Sequence, residues 1–360
     1  MPPQAGLQRM VVLAPNWLGD AVMALPAIDD IRRHYKGARL GVAVRASIAP
    51  LFKAVEGVDD VLPLDGRGRL SNIAGLRGDS RRLRASRHEL AILLPNSFAA
   101  AWLAWRAGVP ERWGYRSDWR GPLLTRHVPR PSGERHQVAY YQELVRALGI
   151  PNGPVRASVR VSAEDVQRAR DLLRGSGIDA SDPVVAVAPG AAFGHAKQWP
   201  PDRFGDVIDR ISRETAARVV LVGSRGDAGS GYAVLASIRS QASRKRVIDL
   251  IGRTDLGLLM GVLSDCQALI SNDSGAMHLA TALGVRVTAI FGSTNERTTG
   301  PVDWPGKTGG HKVLTSAVWC RPCMLRECPI DHRCMTGVSP ADVFGEARAQ
   351  LSAATPAASG

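Results

Sequence analysis

No apolar run in this chain approaches the roughly 20 residues that a membrane-crossing helix needs. The opening Met1-Pro2-Pro3-Gln4-Ala5-Gly6 lacks the basic start and apolar centre of a secretory leader. These two absences make a cytoplasmic protein the expectation. Aromatic residues are only 5% of the 360, too few for the stacking platforms of single-strand binders. No recognisable nucleic-acid-binding motif compensates, so nucleic acid is not an expected partner. Gly-x-Gly-x-x-Gly does not occur after either of the two candidate first strands, which disfavours an NAD-type oxidoreductase. The Gly-Lys-Ser/Thr ending of a Walker A loop is missing as well, and so is an Asp-x-Asp metal motif.

Cysteine is scarce: there are five. Cys266 stands alone in a helical stretch and reads as core. The other four, Cys320, Cys323, Cys328 and Cys334, crowd into one short segment with His332 among them. Thiolates this close in a reducing compartment suit a small structural zinc site, and disulfides do not fit there. The alternative is a set of reduced thiols packing a loop.

What the chain has in excess is positive charge. Lys and Arg number 46 against 33 Asp and Glu, a net of +13. Residues 1–155 hold 22 of the cations and 13 of the anions. The densest stretch runs through Arg67, Arg69, Arg77, Arg81, Arg82, Arg84 and Arg87. Such a face suits anionic lipid head groups or a phosphorylated substrate, or it is simply a solvated arginine-rich surface.

Apolar runs alternate with helical periodicity along most of the chain, the pattern of a doubly wound α/β fold. Met10–Pro15, Ala38–Val44, Asp60–Leu64 and Leu90–Pro95 read as strands of a first sheet. One helix is expected from about Ala21 to Tyr35, with Asp20 at or near its N-cap. Val184–Gly190, Ala217–Gly223, Val247–Leu250, Ala268–Ile270 and Val285–Gly292 read as strands of a second. Pro151-Asn152-Gly153-Pro154 is a turn-rich break. The expected division is a domain over 1–153, a second over 154–340, and a terminal helix or tail over 341–360 packing back on the first domain.

Four loops carry polar chemistry. Asn16-Trp17-Leu18-Gly19-Asp20 follows the first strand, where open sheets bind ligands. Its carboxylate can serve as a general base or cap the next helix. Pro189–Pro200 has Gly190, Gly194 and Lys197, suited to a phosphate or to a surface turn. Gly223–Asp227 ends a strand with an acid placed to hold ribose hydroxyls, or with a solvated turn residue. Ser271–Leu279 sets Asp273, Ser274, Gly275 and His278 on one strand–helix turn. A helix start there offers free N–H groups to an anion. Capping and core packing are the plain readings of the same residues.

Taken together the loops resemble the ADP-heptose:lipopolysaccharide heptosyltransferases, glycosyltransferase family 9, and most of all the heptosyltransferase II branch. The resemblance rests on Asn16–Pro26 (NWLGDAVMALP), Pro189–Pro200 (PGAAFGHAKQWP), Ser271–Leu283 (SNDSGAMHLATAL) and Cys320–Pro340 (CRPCMLRECPIDHRCMTGVSP), in order over about 330 residues. Gln198 stands where the family often has Arg, and Phe291–Pro301 has no close match. The resemblance implies a GT-B architecture, two Rossmann-like doubly wound domains facing a cleft. It implies an inverting transfer of heptose from ADP-heptose to an anionic heptosyl-Kdo–lipid A acceptor at the inner face of the cytoplasmic membrane. Asp20 becomes the catalytic base, and Lys197 the contact to the donor diphosphate. Asp273 becomes the holder of the donor sugar, with Ser274, Gly275, His278 and Gly190 as neighbours and Asp227 a looser match on ribose. No cofactor is implied for catalysis, and zinc is expected, if at all, only as a structural ion on the four cysteines. Other branches adding a first or third heptose, and a non-catalytic nucleotide-sugar-binding protein, are the competing readings.

Overall fold

The computed structural model describes residues 6–65, 73–157, 159–306 and 309–354. Arg67 and Arg69 of the basic run lie outside these described residues, as do 355–360 of the tail. The chain divides into two compact units, Met1–Arg160 and Val161–Gly360. The first unit continues past the Pro151–Pro154 turn for a local reason. Val159 makes an antiparallel bridge to Val55, and the Arg160 N–H donates to the Ala54 carbonyl at 2.8 Å.

The first unit is built on β1 (Arg9–Leu13), β2 (Arg39–Arg45), β3 (Asp60–Leu64), β4 (Leu90–Leu93), β5 (Glu111–Arg116) and β6 (Arg126–Pro129). They form one parallel sheet in the order β3-β2-β1-β4-β5-β6. Val11 pairs with Gly41 on one side and Ala91 on the other. Central strands of this kind are covered on both faces, which is why Met10, Val11 and Val12 are all apolar and fully buried.

The second unit repeats the wiring with β7 (Val184–Ala188), β8 (Arg218–Leu221), β9 (Val247–Asp249), β10 (Ala268–Asn272), β11 (Arg286–Phe291) and β12 (Lys312–Thr315). Their order is β12-β11-β10-β7-β8-β9, again parallel. Read from its far edge this is the same succession as the first sheet. Each sheet therefore reverses direction between its first and fourth strands: β1 with β4, and β7 with β10. The loops leaving those strands splay apart and open a crevice at each reversal.

Two expectations change. The segment expected as one helix from Ala21 to Tyr35 forms two, Leu18–Met23 and Leu25–His34, with Ala24 ending the first and starting the second. Pro26 has no N–H to extend a continuous ladder, but suits a helix start. The N-cap of the first helix is Trp17, so Asp20 stands in the first turn rather than at the cap.

The terminal segment expected against the first domain packs on its own unit as the helix Pro340–Ala354. Its Val343, Phe344, Ala347 and Leu351 join Trp199, Phe204, Ile208 and Ile290 in the second core. Gln350 fixes the register by accepting from Thr288 Oγ1 and donating to the Val287 carbonyl, both at 3.1 Å. The sheet face needs that cover: losing a side chain such as Phe344 costs about 3–5 kcal/mol.

Candidate functional site

The reversal between β7 and β10 brings together the two loops with the most polar chemistry. Asn272, the last residue of β10, is buried and joins them. Its Oδ1 accepts the Trp199 N–H at 3.0 Å, and its Nδ2 donates to the Pro189 carbonyl at 2.7 Å. The loop that begins at Pro189 is thus pinned at both ends to the strand beside it. The next residues turn sharply into the helix Gly275–Leu283. Ser274 is its N-cap, accepting the Met277 N–H, while Ser271 Oγ lies 2.8 Å from Ser274 Oγ. The first N–H groups of this nine-residue helix point out of the same turn.

Inside the turn, Lys197 Nζ lies 2.6 Å from Asp273 Oδ2. The Thr294 hydroxyl donates to the same oxygen at 2.7 Å. Both charged side chains are largely withdrawn from water, at 12% and 5% exposure. An ion pair this dry is held only when its remaining bonds are satisfied. Phe193 covers the ammonium from one side, 4.7 Å from ring centre to Nζ. Ser293, beside Thr294, is buried with no hydrogen-bond partner for its hydroxyl among the described residues. His278 is buried one turn into the helix.

Gly190 and Asp227 also meet here. A Cβ on Gly190 would lie 2.0 Å from Asp227 Oδ1, so only glycine fits. Asp227 Oδ2 accepts the Ser224 N–H at 2.8 Å and the Ser224 hydroxyl at 2.7 Å, a capping box on its own turn. One carboxylate oxygen thus serves local structure and the other faces the β7 loop.

In the first unit, half-buried Asp20 sits just past β1. The helix that carries it packs on Gln137–Ala147. Tyr141 of that helix is buried, and burial raises its hydroxyl pKa well above the ordinary value. The negative charge of Asp20 raises it further, while a hydrogen bond with Gln137 opposes. Across the reversal, the loop after β4 is tied by Arg120, which is fully buried. Its guanidinium donates to the Tyr115 carbonyl at 2.9 Å and to the Pro95 carbonyl. Burial lowers its pKa to about 10, so it stays a cation at neutral pH.

The cysteine-rich segment clamps the second-unit site from outside. The Ala196 N–H donates to the Arg326 carbonyl at 2.9 Å, and the Met324 N–H to the Ser293 carbonyl at 2.8 Å. Arg321 Nε donates to the Gly292 carbonyl at 3.2 Å. All four cysteines and His332 line one cavity of about 230 Å³. Among the described residues no group of three or more His, Cys, Asp or Glu side chains stands where it could hold a metal ion. Cys323 and Cys328 are exposed and Cys334 is buried. As placed, the residues make a thiol-lined wall rather than a closed ligand set.

The structure therefore unites Lys197, Asp273, Ser274, Gly275, Gly190 and Asp227 around one crevice of the second unit, with His278 behind it. Asp20 belongs to the first unit. Thr294, Asn272 and Tyr141 carry no individual signal in the sequence. Thr294 lies in Phe291–Pro301, which carries no motif. Asn272 is legible only as part of the Ser-Asn-Asp-Ser turn, and Tyr141 carries no motif of its own.

The model of glycosyltransferase family 9 (heptosyltransferase) matches residues 79–333. Lipopolysaccharide heptosyltransferase 2 of Escherichia coli is 29% identical over 319 residues, covering 85% of this chain and 90% of its own. Lipooligosaccharide heptosyltransferase 2 of Haemophilus ducreyi is 26% identical over 305 residues, covering 82% and 86%. The solved structure of E. coli ADP-heptose lps heptosyltransferase II superposes with a TM-score of 0.78 at 25% identity, over 96% of this chain and 99% of that one.

Proposed function

The chain belongs to glycosyltransferase family 9, the heptosyltransferases, and from that premise we propose an inverting heptose transfer with Asp20 as general base. The protein is a glycosyltransferase of GT-B type, built from two Rossmann-like units, and its work is heptose transfer in lipopolysaccharide synthesis. The donor in this reading is ADP-heptose. The acceptor is Kdo2–lipid A already carrying one heptose, met at the inner face of the cytoplasmic membrane.

The observation that carries the donor side is the buried Lys197–Asp273–Thr294 group beside a helix N-terminus. In the reaction the acceptor oxygen bonds to the anomeric carbon as the bond from that carbon to the phosphate oxygen breaks. Negative charge gathers on the departing diphosphate. The Lys197 ammonium and the free N–H groups of Gly275–Leu283 are the groups of the second unit suited to receive it. In this reading Asp273, held by Lys197 and Thr294, accepts from sugar hydroxyls. The acceptor proton passes to the Asp20 carboxylate, which needs no metal to take it.

The zinc reading of Cys320, Cys323, Cys328 and Cys334 is retained as a structural proposal only. Four thiols around one cavity supply the donor set, and closing it requires them to draw together, since among the described residues no three such side chains stand where they could share an ion.

The deciding experiment offers ADP-heptose with acceptors bearing no, one or two heptoses. Turnover confined to the one-heptose acceptor is expected, and preference for another reassigns the branch. Asp20→Asn should lower turnover by about 10² to 10⁴-fold with donor affinity unchanged. Turnover near the wild-type rate in that variant would remove Asp20 from the base role.

A further inference from the structure

The basic run resolves into a built groove. The helix Ile73–Ala85 and the helix Phe98–Arg106 pack side by side. Leu83, Ala101 and Ala104 face the sheet, in the core with Val11, Leu13 and Leu93. Arg77, Arg81 and Arg84 follow one another at helical spacing. With Ser80 and Arg106 they line a cavity of about 320 Å³. Like charges at i,i+4 weaken a helix, so folding does not ask for this arrangement.

The four arginines are not equivalent. Arg84 donates to the carbonyls of Arg106 and Ala107, at 2.8 and 3.3 Å, and closes the end of the second helix. Arg77, Arg81 and Arg106 are exposed, and none has a carboxylate partner among the described residues. Their neighbour Arg82 shows the contrast, paired with Asp65 and Asp79. Among the described residues no acid lines the cavity. Trp105, 49% exposed, stands next to Arg106 in the last turn. Guanidinium groups favour phosphate oxygens, and an exposed tryptophan favours the head-group level of a bilayer.

We propose that the groove of Arg77, Arg81 and Arg106 binds the phosphate groups of anionic phospholipids and seats the first unit on a membrane surface. The site is separate from the Asp20 crevice. Asp20 lies on the helix layer that includes Leu25–His34 and Gln137–Ala147, which pack on each other. Right-handed crossovers place the arginine-bearing helices on the opposite face of the sheet. The proposal gives a purpose to the lipid-linked acceptor reading, but its test does not depend on catalysis.

The test is cosedimentation of the full chain with phosphatidylcholine vesicles, with and without phosphatidylglycerol, at fixed ionic strength. Wild type should bind the anionic vesicles alone. Arg77→Ala/Arg81→Ala/Arg106→Ala should bind them on the order of 100-fold more weakly. Arg146→Ala/Arg253→Ala/Arg348→Ala removes equal charge from exposed sites elsewhere and should bind nearly as wild type. Unchanged binding in the groove variant, an equal loss in the control, or equal binding to neutral vesicles overturns the proposal. Protection of the groove by inorganic phosphate without vesicle binding assigns the site to a free ion and overturns the lipid reading. Heptose transfer to a water-soluble acceptor fragment should survive in the groove variant, which shows that it is folded. If wild type transfers no heptose, the catalytic reading fails while the vesicle result stands.

Discussion

Lys197 Nζ and Asp273 Oδ2 lie 2.6 Å apart, joining the loop after β7 to the turn after β10 by a buried ion pair. Neither charge has enough water to stand alone. Removing one partner of such a pair costs about 3–5 kcal/mol, because the other is left buried and uncompensated. Lys197→Ala and Asp273→Ala should each lower the unfolding free energy by that order. The double variant should lose clearly less than the two added together. Urea unfolding of all four proteins measures the coupling. Additive losses would mean that the pair contributes nothing as a pair, and that Lys197 serves the ligand alone.

The Gly190–Asp227 approach makes a sharper steric test. Gly190→Ala drives a methyl onto Asp227 Oδ1, and that carboxylate is held by its bonds to Ser224. Overpacking of this kind costs about 1–3 kcal/mol. Shortening the obstacle should restore much of it, so Gly190→Ala/Asp227→Ala should be more stable than Gly190→Ala. A Gly190→Ala variant that melts like wild type would show that the carboxylate swings away freely.

A feature is legible in the sequence only as far as local chemistry determines it. Central strands announced themselves because burial on both faces demands unbroken apolar runs, as in Met10–Leu13 and Val184–Ala188. The edge strands Arg126–Pro129 and Lys312–Thr315 did not, since they are short and partly exposed and their residues are not selected for a core. Lys197 and Asp273 were each legible as loop chemistry, yet their pairing was not. It depends on the order of the strands in the sheet, which periodicity does not encode. The residues alone leave Asp20 open between a general base and a cap, because Asp favours the cap position and a carboxylate suits either task. Trp17 takes the cap instead, which leaves Asp20 in the first turn beside Tyr141. Thr294 shows the limit most plainly: a threonine in an unpatterned segment matters only through the carboxylate it touches.

The cysteine wall calls for metal analysis. A closed four-thiolate site binds zinc tightly enough to survive purification. About one zinc per chain supports the structural ion, and its removal should then loosen the loops at Ala196 and Ser293, which this segment holds. Below about 0.2 zinc per chain, with exposed Cys323 and Cys328 reacting readily with a thiol reagent, the four residues are free thiols.

His88 sets an acid limit on the first unit. It is 7% exposed, and a Cβ on Gly41 would lie 3.0 Å from its Nε2. Burial foremost, and then the charge of Arg9, lower its pKa from 6.5 to about 4, against a small opposing pull from Asp60. Above pH 6.5 the imidazole is neutral in both the folded and the unfolded chain, and the full stability is present. As pH falls from 6.5 to about 4, the unfolded chain takes up a proton that the folded chain refuses. Stability drops there by about 1.4 kcal/mol per pH unit, or about 3 kcal/mol in all. Below that window the group binds a proton in both states and adds no further slope. Urea midpoints for wild type and His88→Gln, compared between about pH 7.5 and about pH 4.5, isolate the effect from the carboxylates, which both proteins share. The variant should be the less stable protein at neutral pH and the less pH-sensitive one. Parallel curves for the two would show that the buried imidazole is not the source of the acid lability.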